Sequence, residues 1–154
     1  MALLLKRKIK STLIAILMLS FFPMAFAEED VERTGITEQA LKFIGIRYRW
    51  GGSSPQTGFD CSGLVRYIAK IYNLDLPRRS QDMYTSLQSI SQDNMLPGDL
   101  VFFNTSGAAF HVGIYIGNRE FIHSPHKGKL VSIESLDSSY YSTRLIGVRR
   151  LPLI

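Results

Sequence analysis

The sequence predicts a single α+β domain in which N-terminal helices pack on a small antiparallel sheet of about five to six strands. The order of the elements carries this prediction. Segments with apolar residues at helical spacing come first, and short β-branched or aromatic segments follow Pro97-Gly98. The length of 154 residues and the hydrophobic content of 45% fit one domain with one core.

Three helices are predicted before the Pro-Gly turn, each from an apolar stripe that follows a residue suited to N-capping. Their ranges are Thr37–Ile44, Cys61–Tyr72 and Ser80–Ser86, with Thr37, Asp60 and Ser80 as the predicted caps. Five strands are predicted after the turn, separated by turn residues. Their ranges are Leu100–Phe103, Val112–Ile116, Glu120–His123, Leu130–Ile133 and Leu145–Leu151.

The N-terminus has the pattern of an export signal. Four Lys and Arg residues lie in the first ten positions, and residues 25–27 form a small-x-small cleavage site. The apolar run over residues 13–22 is shorter than the roughly 20 residues that span a membrane. We therefore predict a signal peptide over 1–27, export to the periplasm or cell envelope, and no stable membrane anchor after cleavage. A flexible lead-in over 28–34 and a domain over 35–154 would follow; an uncleaved N-terminal anchor is the alternative.

The formal net charge of +5 has a local source. Four of the 18 Lys and Arg residues fall within residues 1–27, which contain no acid, so the rest of the chain has 14 basic against 13 acidic residues. Nucleic-acid binding needs basic residues that cluster on one face. The nearly neutral body therefore argues against a nucleic-acid partner.

The single cysteine, Cys61, is the first candidate for chemistry. One cysteine cannot form an internal disulfide, and an unpaired thiol in an oxidising compartment is exposed to oxidation. Cys61 opens a predicted helix, where free backbone N–H groups and the helix dipole favour the thiolate and can also bind an oxyanion. We therefore predict that Cys61 is a nucleophile; the alternative is a small buried hydrophobic residue.

Two histidines on neighbouring predicted strands suit the needs of a thiol nucleophile. Strand alternation puts His111 and Gly113 on one face, leaving room beside the histidine for a substrate or a helix. His111 can act as base and as acid for the leaving group, and His123 can orient it. A two-residue loop at Gly117-Asn118 would put the two histidines on opposite faces. The prediction therefore requires a three-residue loop or a bulge between the strands.

Other conspicuous residues have structural interpretations. The lone cysteine and the histidines lack the short ligand pair of usual zinc sites, so no metal and no cofactor is predicted. We expect His126 in an exposed loop, Trp50 in the core and Asp99 in a turn before a strand. Arg149 and Arg150 are expected at the surface.

Six short motifs follow one another along the chain, namely Tyr48–Gly52, Phe59–Val65, Leu76–Arg78, Pro97–Phe103, His111–Gly117 and Phe121–His123. In this order and with these gaps, they resemble the NlpC/p60 family of cell-wall peptidases. The resemblance extends over about residues 36–151, nearly the whole chain after the predicted signal.

This resemblance implies a papain-like fold, with the nucleophile at a helix N-terminus that packs on a small sheet. It implies cleavage of peptidoglycan stem peptides, commonly between γ-linked D-glutamate and a diamino acid or at a cross-link. It also implies that Cys61 is the nucleophile, His111 the general base and His123 the orienting residue. The sequence does not identify a regulatory partner protein, and this question stays open.

Five further site residues are implied by the same resemblance. Tyr48 matches a family tyrosine near the thiol that helps to hold the oxyanion or the substrate. Asp60 and Ser62 flank the nucleophile and are expected to contact the charged end of the substrate. Arg78 and Ser80 match a segment that lines the cleft in relatives.

The expected reaction is acyl transfer through a thioester on Cys61. Three other functions stay open at this point. An amidase or acyltransferase would use the same Cys-His site, a non-catalytic module would only bind the wall, and an exported toxin would attack a competitor's wall. One position also departs from the family pattern, because Met83 stands where relatives often have Gln.

Overall fold

The computed structural model describes residue 28, residues 30–105 and residues 110–153. The predicted signal peptide lies outside these residues. The helices described are α1 over residues 30–41, α2 over Cys61–Ile71, α3 over Ser80–Ser86 and α4 over Ser139–Ser142. None of them is both long enough and apolar enough to cross a membrane.

The strands form two antiparallel sheets. A small sheet pairs β1 (Ser53–Ser54) with β2 (Gly58–Phe59). The main sheet has six strands in the order β3-β8-β4-β5-β6-β7. Its strands are β3 (Gln88–Ile90), β4 (Leu100–Asn104), β5 (Phe110–Gly117), β6 (Glu120–His123), β7 (Ser132–Ser135) and β8 (Leu145–Arg150). The predicted α+β class, with helices before an antiparallel sheet, is therefore confirmed.

The core is built on both faces of the main sheet. On one face, α2 buries Leu64 and Ile68 in the same cluster as Val112 and Ile114 of β5. On the other face, aromatic residues of β4, β5 and β6, among them Phe121, form a second cluster. This packing brings the first turn of α2 against the beginning of β5, where the predicted nucleophile and base lie.

A bulge in the β5–β6 hairpin puts the two histidines on the same face. Tyr115 pairs with Phe121, but the next pair is Gly117 with Glu120, so β5 has one extra residue at this point. The turn itself has two residues, both with positive φ. A two-residue turn with a bulge is equivalent to the required odd loop, and the predicted condition is met.

Asp99 joins α1 to the end of the sheet. Its carboxylate is fully buried and accepts hydrogen bonds from Arg33 at 3.1 Å and from Arg150 at 2.8 and 3.0 Å. It also accepts the backbone N–H of Leu96 at 2.9 Å. The predicted structural role of Asp99 is confirmed. The prediction that Arg150 is simply a surface residue was wrong, because its side chain pairs with this buried carboxylate.

The first helix begins earlier than the sequence pattern indicates. The prediction of a flexible lead-in over 28–34 was wrong, because residues 30–34 are helical and Arg33 is buried against the core. Thr37 was wrongly predicted as the N-cap; it lies inside α1, where its hydroxyl donates to the carbonyl of Thr34 at 2.8 Å. The helix ends at residue 41, before the predicted limit at Ile44.

Three other local predictions need correction. Trp50 is not in the core, since 87% of its surface is exposed. Ser80 is the first residue of α3, and Arg79 occupies the N-cap position without a side-chain hydrogen bond. The predicted strand at Leu130–Ile133 lies two residues later as β7, because Leu130 instead forms an isolated bridge with Arg47.

We expect the Asp99→Ala variant to lose about 3–5 kcal/mol of unfolding free energy, because Arg33, Arg150 and the backbone N–H of Leu96 would lose their hydrogen bonds to this buried carboxylate. Urea denaturation followed by circular dichroism measures the change. The matched control is Asp137→Ala, which removes an exposed pair with Arg119 and should cost less than about 1 kcal/mol. Equal, small losses for both variants would contradict the structural role given to Asp99.

Candidate active site

Cys61 is the first residue of α2 and faces a cleft with a volume of about 620 Å³. Asp60 caps the helix by accepting the backbone N–H of Gly63 at 2.7 Å. The backbone N–H groups of Val112, Ser62 and Cys61 itself act to lower the pKa of the Cys61 thiol, against the stronger opposing effect of burial. The predicted cap is therefore confirmed, and it leaves N–H groups at the helix start directed at the thiol.

Asp60 does more than cap the helix. Its two carboxylate oxygens accept a bidentate pair from Arg78 at 3.0 and 2.6 Å, and Oδ2 also accepts the backbone N–H of Gly51 at 3.0 Å. Arg78 donates further to the hydroxyl of Ser62 at 2.9 Å. Asp60, Ser62 and Arg78 therefore form one hydrogen-bonded network in the lining of the cleft around Cys61.

Gly63 allows the glycine loop to lie on the first turn of α2. A Cβ at Gly63 would collide with the carbonyl oxygen of Gly52. That same carbonyl accepts the backbone N–H of Asp60 at 3.1 Å. The sequence motif around the nucleophile therefore serves a close chain-to-chain contact within the protein.

His111 and His123 form a direct hydrogen bond, with 2.7 Å between Nε2 of His111 and Nδ1 of His123. His111 is 7% exposed and lines the cleft beside Cys61, whereas His123 is fully buried. Because Nε2 of His111 is occupied, Nδ1 is the nitrogen that remains to exchange a proton with the thiol.

This assignment fixes both tautomers. When Nδ1 of His111 accepts a proton, its Nε2 must already carry hydrogen and donate it to Nδ1 of His123. His123 then carries its own hydrogen on Nε2, a buried atom for which no hydrogen-bond partner lies among the described residues. Edge-to-face contacts with the rings of Phe121 and Tyr141, at centroid distances of 5.0 and 5.4 Å, hold the His123 ring in place.

Burial favours the neutral forms of all three groups. It lowers the pKa of His111 to about 4, and together with the nearby charge of His111 it lowers the pKa of His123 to about 3. Burial also raises the pKa of Cys61, with a further increase from the negative charge of Asp60. The free protein near pH 7 therefore holds a thiol and a neutral imidazole in the same cleft.

Tyr48 and Ser80 complete the cleft. Burial and the nearby groups Cys61 and Asp60 raise the pKa of Tyr48, so its hydroxyl keeps its proton and can donate a hydrogen bond. The hydroxyl of Ser80 donates to the carbonyl of Phe110, which ties α3 to the residue before His111. Met83 is fully buried in the core and does not reach the cleft.

The structure thus brings all eight predicted site residues to one place. Seven of them line the cleft directly, Ser80 among them, and the buried His123 stands behind His111. Arg78 donates hydrogen bonds to both Asp60 and Ser62, so the charges of Arg78 and Asp60 are paired with each other. Among the described residues, no group of three or more His, Cys, Asp or Glu side chains is arranged to hold a metal ion.

Sequence reasoning missed three contributors to the site. Trp50 and His126 line the cleft, although the first was assigned to the core and the second only to an exposed loop. The backbone N–H of Val112 acts to lower the pKa of the thiol, and its only sequence signal is its place next to His111. The space beside His111 was also misjudged, because the ring of Phe121 covers Gly113 where a substrate or a helix was expected.

A model of the NlpC/P60 family matches residues 45–150 of the chain. Murein DD-endopeptidase MepH of Escherichia coli (strain K12) is 47% identical over 116 residues, which cover 72% of this chain and 43% of that protein. The bifunctional muramidase/DL-endopeptidase CwlT of Bacillus subtilis (strain 168) is 39% identical over 119 residues, which cover 75% of this chain and 36% of that protein. The chain therefore spans less than half the length of these relatives.

A solved structure gives the same match at the level of the fold. It is an NLP/P60 family protein from Staphylococcus aureus subsp. aureus Mu50, described as similar to a lipoprotein. The two structures superpose with a TM-score of 0.70 at 40% identity, over 77% of this chain and 41% of that one.

Alkylation of Cys61 by iodoacetamide should follow the pKa directions given above. Only the thiolate reacts, and its pKa lies above the ordinary thiol value of about 8.5, so the rate should keep rising past about pH 9. The measurement is the second-order rate constant on the full chain, read by mass spectrometry, with Cys61→Ala as the blank. A rate plateau over about pH 5–8, the sign of a preformed thiolate–imidazolium pair, would contradict this account.

Proposed function

The chain belongs to the NlpC/P60 family, and on this basis we propose that it is an exported cysteine peptidase that hydrolyses amide bonds in peptidoglycan stem peptides. One observation carries the proposal. Cys61 at a helix start and His111, hydrogen-bonded to a buried histidine, line the same cleft. A nucleophile, a base and a group that orients the base are the parts that covalent acyl transfer needs.

The first half of the reaction forms a thioester. As Sγ of Cys61 attacks the scissile carbonyl carbon, Nδ1 of His111 takes the thiol proton and the carbonyl electron pair moves to oxygen. N–H groups at the start of α2, together with the Tyr48 hydroxyl, donate hydrogen bonds to that oxyanion. The C–N bond then breaks, and His111 gives its proton to the departing amine.

The second half returns the protein to its starting state. Water attacks the thioester carbon while His111 takes one of its protons, and the C–S bond breaks as the acid product forms. His111 then returns the proton to the sulfur, so atoms and charges balance without a cofactor. The bond from His111 to His123 keeps the imidazole in one orientation through both halves.

The substrate class rests on the relatives. Two of them are named as a murein DD-endopeptidase and as a bifunctional muramidase/DL-endopeptidase. For this chain we propose the same polymer, with either the bond from γ-D-glutamate to a diamino acid or the cross-link as the bond that is cut. Export rests on the signal-like pattern in residues 1–27.

We expect the full chain to release stem-peptide fragments from purified peptidoglycan, and the masses of those fragments identify the bond. Cys61→Ala should release none, because no other nucleophile in the mechanism replaces the thiol. His111→Ala should lower the rate by at least about 100-fold, since it removes both base and acid. Soluble products measured by mass spectrometry provide the test, and equal release by Cys61→Ala would overturn the proposal.

A further inference from the structure

The hydrogen bond between the two neutral imidazoles of His111 and His123 can be made in two ways. In the first, Nε2 of His111 carries the proton and donates it to Nδ1 of His123, so Nδ1 of His111 keeps a free lone pair. In the second, Nδ1 of His123 donates to Nε2 of His111, and Nδ1 of His111 then carries hydrogen. Only the first arrangement leaves His111 able to act as a base.

The two arrangements differ at one buried atom, Nε2 of His123. This atom carries hydrogen in the first arrangement and presents a lone pair in the second. The His123 side chain is fully buried, and Nε2 has no hydrogen-bond partner among the residues that the structure describes. The choice between a buried N–H group and a buried lone pair therefore depends on the apolar groups that pack on this imidazole.

Two aromatic rings contact the His123 imidazole. The ring centroids of Phe121 and Tyr141 lie 5.0 and 5.4 Å from its own, at interplanar angles of 65° and 84°. The face of an aromatic ring carries partial negative charge, so it attracts an N–H group and repels a nitrogen lone pair. Aromatic neighbours thus favour hydrogen on Nε2 of His123, which is the arrangement that leaves His111 basic.

Tyr141 is the contact that does not belong to the strand of His123. It lies on the short helix α4, where Ser138 accepts its backbone N–H at 3.3 Å. Its ring packs on Phe103 at 4.9 Å and on Phe121 at 5.0 Å between centroids, as part of the second core cluster. A change at Tyr141 therefore alters the surroundings of His123 without altering the strand that carries it.

We propose that Tyr141 is a positioning residue, whose ring face receives the Nε2–H of His123 and so keeps the histidine pair in the arrangement with a free lone pair on Nδ1 of His111. The ring carries this role and the hydroxyl does not, because Nε2 of His123 has no hydrogen-bond partner among the described residues. The kinetic consequence rests on the proposed function, whereas the tautomer is a property of the folded chain without substrate.

The tautomers can be measured without turnover from the ¹⁵N shifts of the imidazole nitrogens at about pH 7. The chain has three histidines, so their signals can be assigned with single variants. The full chain should carry hydrogen on Nε2 of both His111 and His123. Tyr141→Phe should keep this pattern because it keeps the ring, whereas Tyr141→Leu should give a mixture of tautomers at both histidines.

Pentafluorophenylalanine in place of Tyr141 separates the charge of the ring face from packing. Its shape is close to that of phenylalanine, but its fluorine atoms reverse the sign of the charge on the face. Hydrogen should therefore move from Nε2 of His123 to Nδ1, although the space stays filled. Circular dichroism shows whether each variant is folded, and the fluorinated variant provides the test if Tyr141→Leu does not fold.

The turnover of a soluble stem-peptide substrate measures the consequence for catalysis. Tyr141→Leu and the fluorinated variant should lower kcat about 3- to 10-fold with little change in KM, because a fraction of the molecules lacks a free base. In a His123→Ala background, the same changes at Tyr141 should have no further effect, since Tyr141 acts through His123. Full loss at Tyr141 in that background would indicate packing alone and overturn the inference.

The outcomes separate this inference from the proposed function. Cys61-dependent cleavage with unchanged tautomers in both ring-altered variants overturns the role of Tyr141 and leaves the peptidase proposal intact. Changed tautomers in those variants, with no Cys61-dependent cleavage by the unaltered chain, support the role of the ring and overturn the peptidase proposal. Loss of the Nε2–H pattern in Tyr141→Phe also overturns the inference, because that variant retains the ring.

Discussion

The carboxylate of Asp60 is the interaction on which the arrangement of the cleft depends. It caps α2 through Gly63, holds the glycine loop through Gly51, and binds the guanidinium of Arg78 in a bidentate pair. Three separate segments of chain therefore meet at one side chain that is mostly shielded from water. Because Cys61 directly follows Asp60, the same contacts fix the position of the thiol and the direction of the N–H groups around it. A charge-assisted network of this kind is stronger than its neutral equivalent, and each member is satisfied by the others.

The second constraint is the register of the main sheet. A slip of one residue between β5 and β6 would turn His123 to the opposite face from His111 and break their hydrogen bond. The bulge beside Tyr115 prevents this outcome, and the ring of Phe121 over Gly113 leaves little freedom for the strands to shift. Burial of the histidine pair then determines its chemistry. Both imidazoles are neutral near pH 7, so the base is available and the third group orients it without adding a charge.

Local signals in the sequence were sufficient for α2 and its Asp60 cap, because capping and helical periodicity depend on neighbouring residues. That Tyr48, Arg78 and Ser80 would share a cleft with Cys61 was implied only by the family resemblance. The need for an odd loop or a bulge between the histidines also followed from strand alternation, although its location did not. Contacts between residues that are distant in sequence could not be predicted from local patterns. The helical start of α1 depends on Arg33 meeting Asp99, which is distant in sequence. The exposure of Trp50 likewise depends on how the glycine loop folds back on α2, and composition alone favours a buried aromatic residue.

The proposed mechanism requires Cys61 to carry the acyl group of a stem peptide during turnover. Rapid acid quench of the full chain with a stem-peptide substrate, followed by mass spectrometry of the intact protein and of its peptides, detects this thioester. We expect an increase equal to the mass of the intact substrate minus that of the departed amine, located on the peptide that contains Cys61 and absent from Cys61→Ala. Product formation at full rate with no adduct at any quench time, or an adduct located on another residue, would contradict it.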